Sequence, residues 1–182
     1  MLSFFCYCGL EATAGLWASS YMVLSRGLSA AEAAKYASLF YLGITAGRLL
    51  SGFVADRLGD RRMVLMGEVL IALGAASLLL PLGTGFMVAG LTLIGLGCAP
   101  VYPSMLHATP DHFGKERSQH LMGVQMASAY LGTTLMPPLF GLLAGWIGTS
   151  LLPFYLLALT VLMALMTQRL EKACERGGRP LS

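Results

Sequence analysis

The sequence predicts an all-α integral membrane protein of six transmembrane helices. Three observations carry that prediction. Of the 182 residues, 56% are hydrophobic and only 12% are charged, with a mean hydropathy of +0.70. Soluble domains carry about 25% charged residues, so this chain lacks the polar surface needed to cover a globule in water. Six apolar runs are each long enough to cross about 30 Å of hydrocarbon at 1.5 Å per residue. Strand-like alternation over about ten residues does not occur, which excludes a transmembrane β-barrel.

The runs fall at about 2–24, 36–56, 63–82, 86–107, 119–145 and 151–168, in a single bundle spanning 1–182. The first carries Glu11 within it and lacks a positively charged leading segment, so it does not read as a signal peptide. It ends at the turn SRGLSA, and the second ends in DRLGDRR. The third stops at PLGTG. The fourth contains Pro100 and Pro103, and the fifth, entered from TPDHFGKERS, contains Pro137 and Pro138. Each proline removes a backbone donor. The pairs therefore predict helix breaks that must face protein or a water-filled cavity, because lipid cannot satisfy freed carbonyls. The sixth run follows GWIGTS and leads into a basic tail, 169–182.

The basic residues are unevenly divided. Arg57, Arg61, Arg62, Lys115, Arg117, Arg169, Lys172, Arg176 and Arg179 fall on one side of the predicted bundle, and Arg26 and Lys35 on the other. The positive-inside rule places the nine in the cytoplasm, with both termini. The net charge of +3 forms no basic stripe with interleaved aromatics, so nucleic acid is not a predicted partner. Cys6, Cys8, Cys98 and Cys174 have neither zinc-knuckle nor thioredoxin spacing and read as small apolar packing residues. His107, Asp111 and His112 cluster near the end of the fourth run without a further ligand nearby, so no metal is predicted. No nucleophile–base pair or phosphate-binding loop appears, so the chain does not read as an enzyme, and no cofactor is expected.

The turn between the second and third runs has a pattern of its own. Gly52, Asp56, Arg57, Gly59, Arg61 and Arg62 form G-x-x-x-D-R-x-G-x-R-R. This resembles the cytoplasmic loop signature of the major facilitator superfamily, and Asp60 departs from it where a basic residue is usual. Gly52 would permit close helix approach, Asp56 would accept from a helix N-terminus, and the arginines would bind carboxylates or lipid phosphates. GLEATAGLWASSY (9–21), GLGCAPVYPSM (95–105) and LGTTLMPPLFGLLA (131–144) resemble helices of the C-terminal half in the fucose/glucose–proton symporter branch. The resemblance implies one six-helix half of a major facilitator fold, an inverted 3+3 repeat. It also implies a companion: an N-terminal six-helix half, or a second copy of the chain. The implied function is secondary active transport, proton-coupled uptake of a small polar solute such as a sugar, in a bacterial inner membrane. Drug or organic-acid efflux is the alternative substrate class. A non-transporting membrane subunit or remnant is the alternative role.

The residues that could carry such a function are few. Tyr7, Glu11, Ala14, Ala18 and Tyr21 form a stripe on the first helix, with polar groups at its ends and small residues between, as suits a cavity wall. Trp17 lies off that stripe, to cap the cavity or to pack on a neighbour. By resemblance, Tyr7, Glu11, Tyr102 and Gln125 stand near substrate. A carboxyl group inside a bilayer is costly while charged, and a coupling carboxylate must exchange a proton, so Glu11 is the expected proton carrier. Arg48 and Glu68 lie at similar depth on consecutive helices and are expected to pair as an intramembrane clamp. Gly43, Gly47 and Ser51 on the second helix, and Gly141 and Gly145 on the fifth, form small-residue faces for close packing within the bundle or against a companion.

Overall fold

The structure is a computed structural model that describes residues 1–109 and 115–176, with Asp56, 115–118 and 174–176 described by backbone alone. Asp111, His112 and Arg179 lie outside the described residues, as do the side chains of Asp56, Lys115, Arg117, Cys174 and Arg176. Six long helices follow in chain order: α1 (Leu2–Arg26), α2 (Ala30–Leu58), α3 (Asp60–Leu79), α4 (Thr84–His107), α5 (Lys115–Ile147) and α6 (Leu152–Arg176). A short 3₁₀ turn, Thr149–Leu151, precedes α6. By length and composition, α2 to α6 could each cross a membrane. α1, which holds Glu11, Thr13 and four serines, is not among these five.

The helix limits follow from local chemistry. α2 starts six residues before the expected 36, because Ser29 and Glu32 form a reciprocal capping box. α2 and α3 are joined by Gly59 alone, whose φ of +75° lies in the region that side chains avoid. The four prolines do not break their helices: α4 runs through Pro100 and Pro103, and α5 through Pro137 and Pro138. Each proline deletes a single donor, and the bonds on either side hold the helix together.

The packing has an internal symmetry. α4 packs along both α2 and α3, while α1 packs along both α5 and α6. Exchanging α1–α3 for α4–α6 maps one set of contacts onto the other. Glycines set the close approaches. A Cβ on Gly97 would lie 2.7 Å from the Gly67 carbonyl oxygen, and one on Gly74 would lie 2.6 Å from that of Gly90. These pairs form the α3–α4 seam. In the α2–α4 seam, a Cβ on Gly43 would lie 2.5 Å from the Thr92 carbonyl oxygen, and one on Gly47 would meet Ala99 at the same distance. The small-residue face of α2 is thus spent inside the bundle. Gly52 differs: no described atom lies within 4 Å of its would-be Cβ, so close helix approach is not its role within this bundle.

Cys6, Cys8 and Cys98 are free, buried packing residues. The outer faces are apolar: Leu42, Leu49 and Phe53 on α2 and Leu131, Leu142 and Trp146 on α5 are all more than half exposed. Monomers in water rarely carry an apolar patch of that extent, which lipid or an apolar companion can cover.

Candidate transport site

One cleft brings Glu11 of α1 and Arg48 of α2 together. About 360 Å³ in volume, it is lined by Tyr7, Cys8 and Glu11 of α1, Tyr41 and Arg48 of α2, Tyr102 of α4, and Met126, Tyr130 and Thr133 of α5. Glu11 is nine residues into α1 and Arg48 ten residues from the end of α2. At 1.5 Å per residue both sit about 14–15 Å from the same end of the bundle. An acid and a base therefore stand in one cleft at one depth.

The cleft wall is tightly bonded. The Tyr7 hydroxyl lies within donor reach of the Glu11 carboxylate and of the Cys98 carbonyl, the latter at 3.0 Å. Its ring is 1% exposed and is held among Phe4 and Tyr102, with centroids 6.4 and 6.3 Å away. The Tyr102 hydroxyl donates to Met126 Sδ at 3.3 Å, linking α4 to α5. Arg48 and Tyr102 also line a second, larger cleft of about 720 Å³, together with Ser51, Asp60, Ser104 and His107. These two residues stand between the central cleft and the end of the bundle that carries the Gly59 turn.

Of the residues expected near substrate, Tyr7, Glu11 and Tyr102 come together and three others do not. Tyr21 lies outside the cleft: its hydroxyl donates to the Leu78 carbonyl at 3.0 Å and accepts from Arg26 Nε at 3.1 Å, tying α1 to the end of α3. Trp17 packs on a neighbour rather than capping a cavity. Its Nε1 donates to the Pro137 carbonyl at 3.2 Å, and its ring meets Phe140 edge-on at 5.2 Å. Gln125 is buried, accepts from the Thr109 hydroxyl at 3.0 Å, and lines a separate 100 Å³ cavity near the bundle end with Asp60, Arg61 and Glu171.

Arg48 and Glu68 do not pair. Their depths match, but α4 lies between their helices, and α2 and α3 meet only lightly. Arg48 faces the α1–α4 cleft, while Glu68 is turned toward α6, where it shares a pocket with Thr167, Gln168, Glu171 and Lys172. One buried carboxylate oxygen of Glu68 has no hydrogen-bond partner.

The loop signature is anchored to other helices. Arg61 Nε lies 3.1 Å from Glu171 of α6, and His107 Nδ1 of α4 donates to Asp60 Oδ2 at 2.7 Å. Asp60, the position that departs from the signature, therefore has a structural partner that the pattern alone did not reveal. For Arg48 the depth was legible in the sequence, but the helix facing it was not.

Residues 1–176 match the profile of the Major Facilitator Superfamily. Among curated proteins, a di-/tripeptide transporter of Lactococcus lactis subsp. cremoris is 28% identical over 163 residues, covering 85% of this chain and 32% of that protein. Monocarboxylate transporter 9 of Rattus norvegicus is 28% identical over 130 residues, covering 69% and 25%. Among solved structures, a peptide transporter POT in complex with alafosfalin superposes with a TM-score of 0.71 at 23% identity, covering 92% of this chain and 36% of that one. A POT family transporter in complex with a thioalcohol-conjugated peptide gives 0.70 at 21% identity. The chain thus spans about a third of the length of the relatives it matches. The fucose/glucose–proton symporter branch finds no support in these relatives. Glycines in the segments that suggested it serve packing: Gly95 abuts the Phe40 carbonyl and Gly132 the Phe5 carbonyl. The match over 1–176 covers all six helices and the cleft between them, and the chain belongs to the major facilitator superfamily.

Proposed function

We propose that this chain forms one six-helix half of a proton-coupled secondary transporter for small zwitterionic solutes of the di- or tripeptide kind. The observation that carries the reading is the single cleft holding Glu11 and Arg48 at one depth. A carboxylate can take a substrate ammonium group, and a guanidinium a substrate carboxylate. Tyr41, Tyr102 and Tyr130 supply the apolar and hydroxyl surface between the two charges. The names of the lactococcal relative and of the superposed structures support peptides over sugars. The opposite wall of the cleft comes from a companion half or a second copy, which the exposed apolar faces of α2 and α5 would meet. The nine-to-two division of basic residues supports cytoplasmic termini.

Glu11 carries the coupling proton. Substrate affinity then depends on whether Glu11 is charged, which is the differential interaction that coupling requires. The test is uptake of labelled dialanine by the chain in its native assembly, reconstituted into proteoliposomes. Glu11→Gln should abolish accumulation driven by a proton gradient, while dialanine counterflow persists but needs a higher dialanine concentration, because the ammonium group loses its charged partner. Arg48→Ala should weaken dialanine binding in both modes. A Glu11→Gln variant that still concentrates dialanine with normal pH dependence overturns the coupling role. Competition by lactate but not by dialanine would move the substrate to monocarboxylates.

A further inference from the structure

From the bonding around Tyr7 we infer that its hydroxyl is a positioning switch. It donates to Glu11 while that carboxylate is charged, and to the Cys98 main-chain carbonyl once Glu11 is protonated. The inference rests on the reading of Glu11 as the proton carrier and adds how its proton state reaches α4.

The argument begins with counting. A phenolic hydroxyl has one proton to donate, and the Tyr7 hydroxyl has two acceptors in reach, the Glu11 carboxylate on its own helix and the Cys98 carbonyl on α4. The Phe4 and Tyr102 rings hold the Tyr7 ring in place, so the oxygen stays put while its proton turns about the C–O bond. A charged Glu11 accepts only, and a charge-assisted bond is the stronger of the two on offer. When Glu11 takes a proton from the cleft it becomes a donor, and the bond reverses: Glu11 donates to the Tyr7 oxygen. Tyr7 keeps its own proton throughout and turns it to Cys98. One proton enters, on Glu11, and none passes through Tyr7.

The receiving carbonyl is well placed to transmit the change. Cys98 lies between Leu96 and Ala99, whose carbonyls have lost their helical donors to Pro100 and Pro103. A side-chain bond to this thinly bonded stretch is a larger share of what holds it than in an ordinary helix. One turn further on, Tyr102 stands between the two clefts. The other titratable or charged groups facing Glu11 are Cys8 on α1, Tyr41 and Arg48 on α2, Cys98 and Tyr102 on α4, and Tyr130 on α5. Among these, Glu11 is the only carboxyl group.

Two measurements test the switch. In the native assembly, Tyr7→Phe keeps the ring and removes the hydroxyl. It should lose gradient-driven dialanine accumulation as Glu11→Gln does, retain counterflow, and add no further loss in the double variant. Independently, carbonyl-¹³C cysteine labelling with infrared detection reads the Cys98 carbonyl, assigned by its disappearance in Cys98→Ala. Acidification should shift that band to lower frequency in the parent protein and leave it unmoved in Tyr7→Phe and Glu11→Gln. A parent band that does not move overturns the switch even if Tyr7→Phe fails to fold. If Glu11→Gln loses accumulation while Tyr7→Phe keeps it, the switch fails and the coupling role of Glu11 stands. If Glu11→Gln keeps accumulation, the coupling role itself fails.

Discussion

The glycine pair Gly67–Gly97 makes a demanding test of how this bundle is held together. An alanine at Gly97 would put its methyl group 2.7 Å from the Gly67 carbonyl oxygen and 2.8 Å from the Ile71 backbone nitrogen. Both obstacles are backbone or adjoin it, so no flexible side chain can yield, and α3 and α4 must separate. Overpacking of this kind costs about 1–3 kcal/mol. Replacing a helical glycine by alanine returns roughly 0.5–1 kcal/mol through lower backbone entropy in the unfolded chain. Gly97→Ala should therefore destabilise by up to about 2.5 kcal/mol net. Gly52→Ala meets nothing within 4 Å, so it keeps only the favourable part, about 0.5–1 kcal/mol. The two variants should move the unfolding temperature in opposite directions, by about 2–4 °C per kcal/mol for a chain of this size. Thermal unfolding of the purified chain in one detergent reads both. Equal shifts for the two alanines would refute the claim that glycine-to-backbone contact sets the α3–α4 distance.

Three further outcomes are expected. Trp17→Phe should cost about 0.5–1.5 kcal/mol of stability by losing the bond to the Pro137 carbonyl, with apparent dialanine affinity unchanged; an affinity loss without a stability loss would return Trp17 to the substrate path. A cysteine placed at Gly59 should react with impermeant maleimide only from the cytoplasmic side of sealed vesicles, and labelling from outside would reverse the orientation. Asp60→Asn and His107→Ala should couple by about 0.2–1 kcal/mol in a double-mutant cycle, the range for a pair with one exposed partner; strict additivity would mean the contact holds nothing.

The helices were legible because bilayer thickness imposes length and composition on each one, whatever its neighbours. Depth was legible for the same reason: Glu11, Arg48 and Glu68 could each be placed by counting residues from a helix end. What counting could not supply was azimuth across the bundle. The short turn 57–62 suggests that the second and third helices lie side by side, which made Arg48 and Glu68 look like partners. Yet α4 wedges between those helices, and it can do so because Gly43, Gly47, Gly67 and Gly74 let it approach both. The glycines were visible as small-residue faces, but which helix each face would meet depends on the whole arrangement. The Tyr7–Glu11 contact spans one turn of one helix and was visible as a stripe. Tyr21 and Trp17 have their bonding partners on α3 and α5, so no local pattern pointed to them.

The charge distribution leaves one oddity that the structure resolves. On the proposed orientation Arg26 lies at the outer end of the bundle, where the positive-inside rule disfavours it. Its guanidinium donates to the Leu78 carbonyl and to the Tyr21 hydroxyl, and sits 5.7 Å over the Tyr21 ring. Leu78 belongs to the last turn of α3, where carbonyls have no helical donors and the helix dipole is negative. The arginine thus closes the end of another helix, and Tyr21 completes the same closure from the side. Two residues that looked, respectively, like a stray orientation charge and a cavity tyrosine are one structural device. The same chemistry recurs at the opposite end, where Arg61 of α3 reaches Glu171 of α6. α3 is therefore fastened at both ends by arginines, to α1 at one and to α6 at the other. Glu11, Arg48 and Tyr102 stand on α1, α2 and α4, and on the proposed function these three helices form the wall that responds to the proton.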